Sequence, residues 1–151
     1  MVDACIVTVS VGVLAAGSIA FKPALPAIYT KALKALRMGS YKKIAVELAH
    51  MPPEIQENTN YYLYNDGNNN TPEEMWQFYR HSDYPKNVLI AHMSGDFAEQ
   101  LDAMPDSDVY RAFKAALTEA YEDTTIALRS TKIATNWNAD PLVAGAYSYT
   151  A

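Results

Sequence analysis

The chain carries one cysteine, Cys5, so no internal disulfide framework exists, and the expected setting is reducing or at least disulfide-free. Its three histidines, His50, His81 and His92, are widely dispersed and form no Cys/His zinc set, so no metal site is expected. No basic run is present: 12 Lys and Arg stand against 17 Asp and Glu, giving a net charge of −5. That balance argues against a DNA or RNA reader, which needs clustered cations to displace counterions from phosphates. No two of the six glycines are two apart, so the chain holds no Gly-x-Gly-x-x-Gly dinucleotide turn. Gly12 and Gly17 have the spacing of a phosphate-binding P-loop, but Ser18 and Ile19 stand where the phosphate lysine would follow. A Gly-x-Ser-x-Gly elbow for a serine hydrolase is also absent.

The longest apolar stretch, Ala4 to Ala20, is broken by Thr8, Ser10, Gly12, Gly17 and Ser18, and Asp3 stands where an export signal would carry positive charge. It falls short of the ~20 residues a spanning helix needs. The expectation is buried soluble structure and a cytoplasmic protein. Asn69-Asn70-Thr71 is a glycosylation sequon that matters only in a secreted chain. What remains is a chain of 151 residues, 50% apolar and 19% charged, able to bury a core.

Cys5 to Ser10 is β-branched and nearly all apolar, which predicts a core strand covered on both faces. A helix is expected from Pro26, with Ile28, Ala32, Leu33 and Leu36 at helical spacing and Gly39 as its stop. Tyr41 to Ala49 alternates as a strand, with Ile44, Val46 and Leu48 on one face and Lys43, Ala45 and Glu47 on the other. Two aromatic strands, Tyr61 to Tyr64 and Trp76 to Tyr79, flank a turn at Asn65 to Asn70. Between them Glu73-Glu74 looks like a solvated helix start. Asn87 to Met93 forms another apolar strand. Helices follow over Asp96 to Ala103 and over Ser107 to Tyr121, the second capped by Ser107 and apolar at Val109, Phe113, Ala116, Leu117 and Ala120. A last strand lies near Thr131 to Trp137, and Tyr147 and Tyr149 share a face if their segment is extended. The sum is an α/β or α+β pattern, a mixed sheet with helices.

Three blocks stand in order along the chain. The first is Ile6-Val-Thr-Val-Ser-Val-Gly-Val-Leu14 with Ile19-Ala-Phe-Lys-Pro-Ala-Leu-Pro26, similar to Val-Thr-Val-Pro-x-Gly-Val-Leu and Phe-x-Pro-x-Leu-Pro. The second is Ala35-Leu-Arg-Met-Gly-Ser-Tyr-Lys-Lys-Ile44, similar to a Gly-x-x-x-Lys strand entry. The third is Trp137-Asn-Ala-Asp-Pro141 with Gly145-Ala-Tyr-Ser-Tyr149, similar to Trp-x-x-Asp-Pro followed by Gly-Ser-Tyr-Ser-Tyr. Together the three resemble the flavin-containing amine oxidases, the family of monoamine oxidases, polyamine oxidases and flavin-dependent histone demethylases.

The resemblance implies residues 1–25 as part of an FAD-binding, Rossmann-like domain, 26–135 as a substrate-binding domain, and 136–151 as a return toward the flavin. It implies Lys43 as the catalytic lysine that holds a water beside flavin N5, with Lys42 as the alternative if the register slips. A different reading makes the two lysines solvated neighbours on an edge strand. Tyr147 matches a wall of the aromatic cage around the substrate amine, and Trp137 matches a tryptophan near the cofactor; packing roles stand as alternatives for both. Tyr61, Tyr62, Tyr64, Trp76, Phe78 and Tyr79 could line a cavity, but aromatics on strands usually fill cores, and none is named as a site.

The departures are Ser10 for the usual Pro, Leu142 for a common aromatic and Ala146 for Ser. The family's dinucleotide turn, its acidic ribose ligand and a later Gly-Glu segment are not in these residues. The expectation is therefore a piece of an FAD-dependent amine oxidase that takes an amine to an imine while dioxygen becomes hydrogen peroxide, inactive by itself and not retaining FAD alone. Its partners would be a small-molecule amine and the FAD-binding half. The alternative is a non-catalytic binding or assembly module, or one chain of a split flavoenzyme. Unpaired strand edge at Cys5 to Ser10 should make the isolated chain associate.

Overall fold

A computed structural model of the chain describes residues 3–65, 74–85 and 87–150. These residues form mixed α/β structure with two antiparallel sheets, in two compact units: Met1–Ser40 with Trp137–Ala151, and Tyr41–Asn136. No helix among the described residues is long and apolar enough to cross a membrane, and no group of three His, Cys, Asp or Glu there could hold a metal ion.

The larger unit is a five-stranded sheet built from β2 (Tyr41–Leu48), β3 (Thr59–Asn65), β4 (Glu74–Arg80), β5 (Val88–Ser94) and β6 (Leu128–Ala134), in the order β3-β4-β5-β2-β6. The alternation expected for Tyr41 to Ala49 is present: Ile44, Val46 and Leu48 are buried, and Lys43, Ala45 and Glu47 lie on the other face. Helices α3 (Gly95–Asp102) and α4 (Asp106–Tyr121) supply the core's second layer through Phe97, Leu101, Val109, Phe113 and Leu117. Trp76 and Phe78 lie parallel to each other and each meets Phe113 edge to face, with Phe78 and Phe113 ring centres 5.6 Å apart, a geometry that suits their quadrupoles. The core aromatics are thus Trp76 and Phe78, while Tyr62 and Tyr64 are exposed on the opposite face.

Three local expectations in this unit are corrected. Helix α4 starts at Asp106 after Pro105, and Ser107 lies inside its first turn rather than at the cap; Pro at that entry fixes φ and needs no amide partner. The helix buries Tyr110 and leaves Ala120 exposed, because its ring, not the small terminal alanine, reaches the sheet. Glu74 opens β4 instead of a helix, drawn into the ladder opposite Asn65. The Asn65-to-Asn70 turn beyond Asn65, Glu73 and the sequon lie outside the described residues.

The smaller unit contains α1 (Val11–Ala15), α2 (Ala27–Ala35), and a two-stranded sheet of β1 (Leu36–Met38) and β7 (Ser148–Thr150). Ser10 caps α1 by accepting from the Val13 amide, and its hydroxyl donates to the Val143 carbonyl. The segment Cys5 to Ser10 is not a buried strand: it is irregular, and Ile6 is 88% exposed. A strand exists only through a partner's hydrogen bonds, and no described strand runs beside it. Most of Ala4 to Ala20 is likewise exposed or half-buried, with Val13 alone buried. The helix after Pro26 ends at Ala35, before Gly39, because Leu36–Met38 pairs with Ser148–Thr150. Tyr147 has φ of 60°, so the chain turns there and Tyr147 does not continue the strand face of Tyr149.

Candidate functional site

Lys43 sits in β2, between β5 and β6, so it is not on an edge strand. Its backbone is fixed by one residue. The Lys43 amide donates to Thr135 Oγ1 at 2.8 Å, and the Thr135 amide donates to the Lys43 carbonyl at 2.9 Å. Strand parity puts Lys43 on the sheet face away from α3 and α4, directly opposite His92 of β5, which in turn faces Gln77 of β4 and then Tyr62 of β3.

Two groups shape the space around Lys43. Its Nζ lies 5.9 Å from the centre of the Tyr41 ring, within cation–π range. Tyr41 Oη and His92 Nδ1 are hydrogen-bonded at 2.7 Å. Burial, and then the Lys43 charge, hold the His92 imidazole below its usual pKa of 6.5, because both disfavour its cation. Sequence reasoning missed Tyr41 and His92. The signal for Tyr41 was available, since residues two apart on a strand share a face; the partner at His92 required the register.

Lys42 is the other lysine of the pair and lies on the core face, 1% exposed. Its ammonium donates to Asp102 Oδ1 of α3 at 2.7 Å and to the Thr135 carbonyl at 2.8 Å. A buried cation needs such partners. The two lysines are therefore distinct: Lys42 links the sheet to a helix, and Lys43 is presented on the far face.

Trp137 and Tyr147 belong to the smaller unit. The Trp137 carbonyl accepts from the Gly145 amide at 2.9 Å, while Gly39 donates to the Tyr147 carbonyl at 2.8 Å and accepts from the Ala146 amide at 2.9 Å. The two bonds of Gly39 tie the third sequence block to the second, just after β1. Trp137 is half-buried and Tyr147 is 69% exposed. Within this unit the two are connected through one short backbone weave; Lys43 belongs to the other unit.

No Gly-x-Gly-x-x-Gly turn for a dinucleotide pyrophosphate is present in these residues. A side chain at Gly12 would strike the Ala144 carbonyl, and one at Gly145 would meet Met38 Cβ at 2.6 Å, so both glycines serve close packing of this chain on itself. Neither leaves a phosphate cradle.

The family model described as "Flavin containing amine oxidoreductase" matches residues 1–151. Among curated proteins, "Protein FLOWERING LOCUS D" of Arabidopsis thaliana is 30% identical over 149 residues, covering 97% of this chain and 19% of that protein. "Polyamine oxidase 4" of Oryza sativa subsp. japonica is 31% identical, covering 97% of this chain and 28% of that protein. The chain thus spans less than a third of these relatives. Cyclohexylamine oxidase from Brevibacterium oxydans has a similar fold, with a TM-score of 0.57, 19% identity, and coverage of 92% of this chain and 30% of that one. A redesigned putrescine oxidase gives a TM-score of 0.61 at 13% identity, over 94% of this chain and 30% of that one. With the family model matched from end to end, the chain belongs to the flavin-containing amine oxidoreductase family.

Proposed function

We propose that these residues form the amine-facing portion of an FAD-dependent amine oxidase, with the parts that grip the dinucleotide supplied by another segment or another chain. The observation that carries the reading is the placement of Lys43: an interior strand, with its amide and carbonyl both held by Thr135. A cation used to orient water needs a rigid base, since displacement of a catalytic group by an ångström is costly in rate.

In this proposal FAD, when bound, supplies the two-electron acceptor that takes the amine to an imine and passes the electrons to dioxygen, yielding hydrogen peroxide. Lys43 donates hydrogen bonds to a water on the open sheet face and brings positive charge there. Trp137 packs near the cofactor ring, and Tyr147 offers a π face to the substrate amine. The 26–135 segment acts as the substrate-binding domain, and the segments on either side of it as pieces of the cofactor domain. The exposed Ile6 and Val7 support a role for the first segment in pairing with the cofactor-gripping portion, since such apolar surface favours association.

The test is flavin retention and amine-dependent peroxide formation by the purified 151 residues with added FAD. Neither is expected; turnover by this chain alone overturns the view that the cofactor grip lies elsewhere.

A further inference from the structure

Lys43, His92 and Gln77 form one row across three strands on the sheet face away from α3 and α4. Among the described strand residues of that face, the one carboxylate is Glu47, and it is already paired with Arg129 at 3.4 Å. The groups that face His92 are Lys43 and Tyr41 from β2, and Gln77 with its neighbour Tyr79 from β4; on its own strand Ile90 and Ser94 flank it. Lys42 is on the opposite face and engaged with Asp102. The imidazole therefore has a cation directly across the ladder and no anion beside it in that row. Its Nδ1 is hydrogen-bonded to Tyr41, whose ring also lies under the Lys43 ammonium.

We propose that His92, oriented by Tyr41, is a positioning residue for Lys43: as a neutral imidazole it occupies the site opposite the lysine and keeps a second positive charge off that row. Protonation of His92 sets two cations across one antiparallel pair, where side chains are close neighbours and like charges repel. The Lys43 ammonium then leaves its place over the Tyr41 ring. The Tyr41 bond holds the imidazole in one orientation. The functional meaning rests on the reading of Lys43 as the water-holding lysine; the linkage among the three side chains does not.

The experiment is an NMR titration of the 151-residue chain, following the His92 ring and the Lys43 side-chain ε-methylene, in the wild type and in Lys43→Met, Lys43→Arg, Lys43→Gln and Tyr41→Phe. His92 is expected to titrate below 6.5 in the wild type, to move upward in Lys43→Met and Lys43→Gln, and to keep its low midpoint in Lys43→Arg. The Lys43 signals should move at the His92 midpoint. In Tyr41→Phe, which removes the bond that orients the ring, the response of the Lys43 signals at the His92 midpoint should weaken. A His92 midpoint unmoved by neutral residues at position 43, or Lys43 signals blind to it, overturns the proposal. If Lys43→Met does not fold, Lys43→Gln and the wild-type Lys43 response carry the same decision. Failure of the oxidase reading is separate, since it appears only in peroxide formation by the assembled enzyme.

Discussion

The Lys42 ammonium lies 2.7 Å from Asp102 Oδ1, and both side chains are buried, at 1% and 7% exposure. This contact joins β2 to α3, one residue away from the lysine presented on the other face. The same ammonium also reaches the Thr135 carbonyl, and Thr135 holds Lys43 through two further bonds. Position 43 is thus fixed in part by the chemistry of position 42.

Breaking that pair from one side leaves a buried charge unpaired. Asp102→Ala should destabilise the fold by about 3–5 kcal/mol, whereas Lys42→Met combined with Asp102→Leu should be roughly neutral, within about 1 kcal/mol of wild type. Urea unfolding of the single and double variants gives both numbers; equal losses in the two would mean that the charges contribute nothing specific.

His92 makes the fold sensitive to acid. Its pKa is lowered in the folded chain by burial and by Lys43, so the unfolded chain binds the proton more readily. The contribution is complete above the unfolded value of 6.5 and is lost as pH falls from there through the lower folded pKa. His92→Gln should flatten this part of the stability-against-pH curve, measured as the urea midpoint on the two sides of that window. A steeper acid loss in the variant would contradict the sign.

Gly12 packs against the Ala144 carbonyl so closely that no Cβ fits, and Ser10 just before it caps α1. Gly12→Ala should displace the backbone around Ala144 and cost about 1–3 kcal/mol, as overpacking does. Ser10→Ala should cost about 1 kcal/mol through loss of the cap. Hydrogen exchange over 11–15 is the sensitive readout, and unchanged protection in Gly12→Ala would refute the close approach.

Much of the larger unit was legible because burial there follows the local period. Ile44, Val46 and Leu48 repeat every second residue, and Val109, Phe113 and Leu117 every fourth, so each face could be read without its partner. Lys42 falls on the Ile44 face by the same parity, which requires a buried partner, but Asp102 lies sixty residues away and only the fold identifies it. The short strand Leu36–Met38 was hidden for that reason too: its partner, Ser148–Thr150, is remote in sequence. Cys5 to Ser10 failed in the opposite sense, since a β-branched run speaks of burial only when neighbours exist to cover it. Of the site, Lys43, Trp137 and Tyr147 came from resemblance to family motifs. Tyr41 shares the Lys43 face by the two-residue strand period and could have been read from it, whereas His92 came only from the strand register.

The most direct test of the central claim is amine-dependent peroxide production with FAD, comparing the 151-residue chain alone with the same chain joined to a segment carrying a Gly-x-Gly-x-x-Gly unit and a Gly-Glu block. The account predicts no turnover by the chain alone, turnover by the assembly, and a loss of about 100-fold in the assembly carrying Lys43→Met. Turnover by the chain alone, an inactive assembly that nonetheless retains FAD, or an assembly indifferent to Lys43→Met would contradict it.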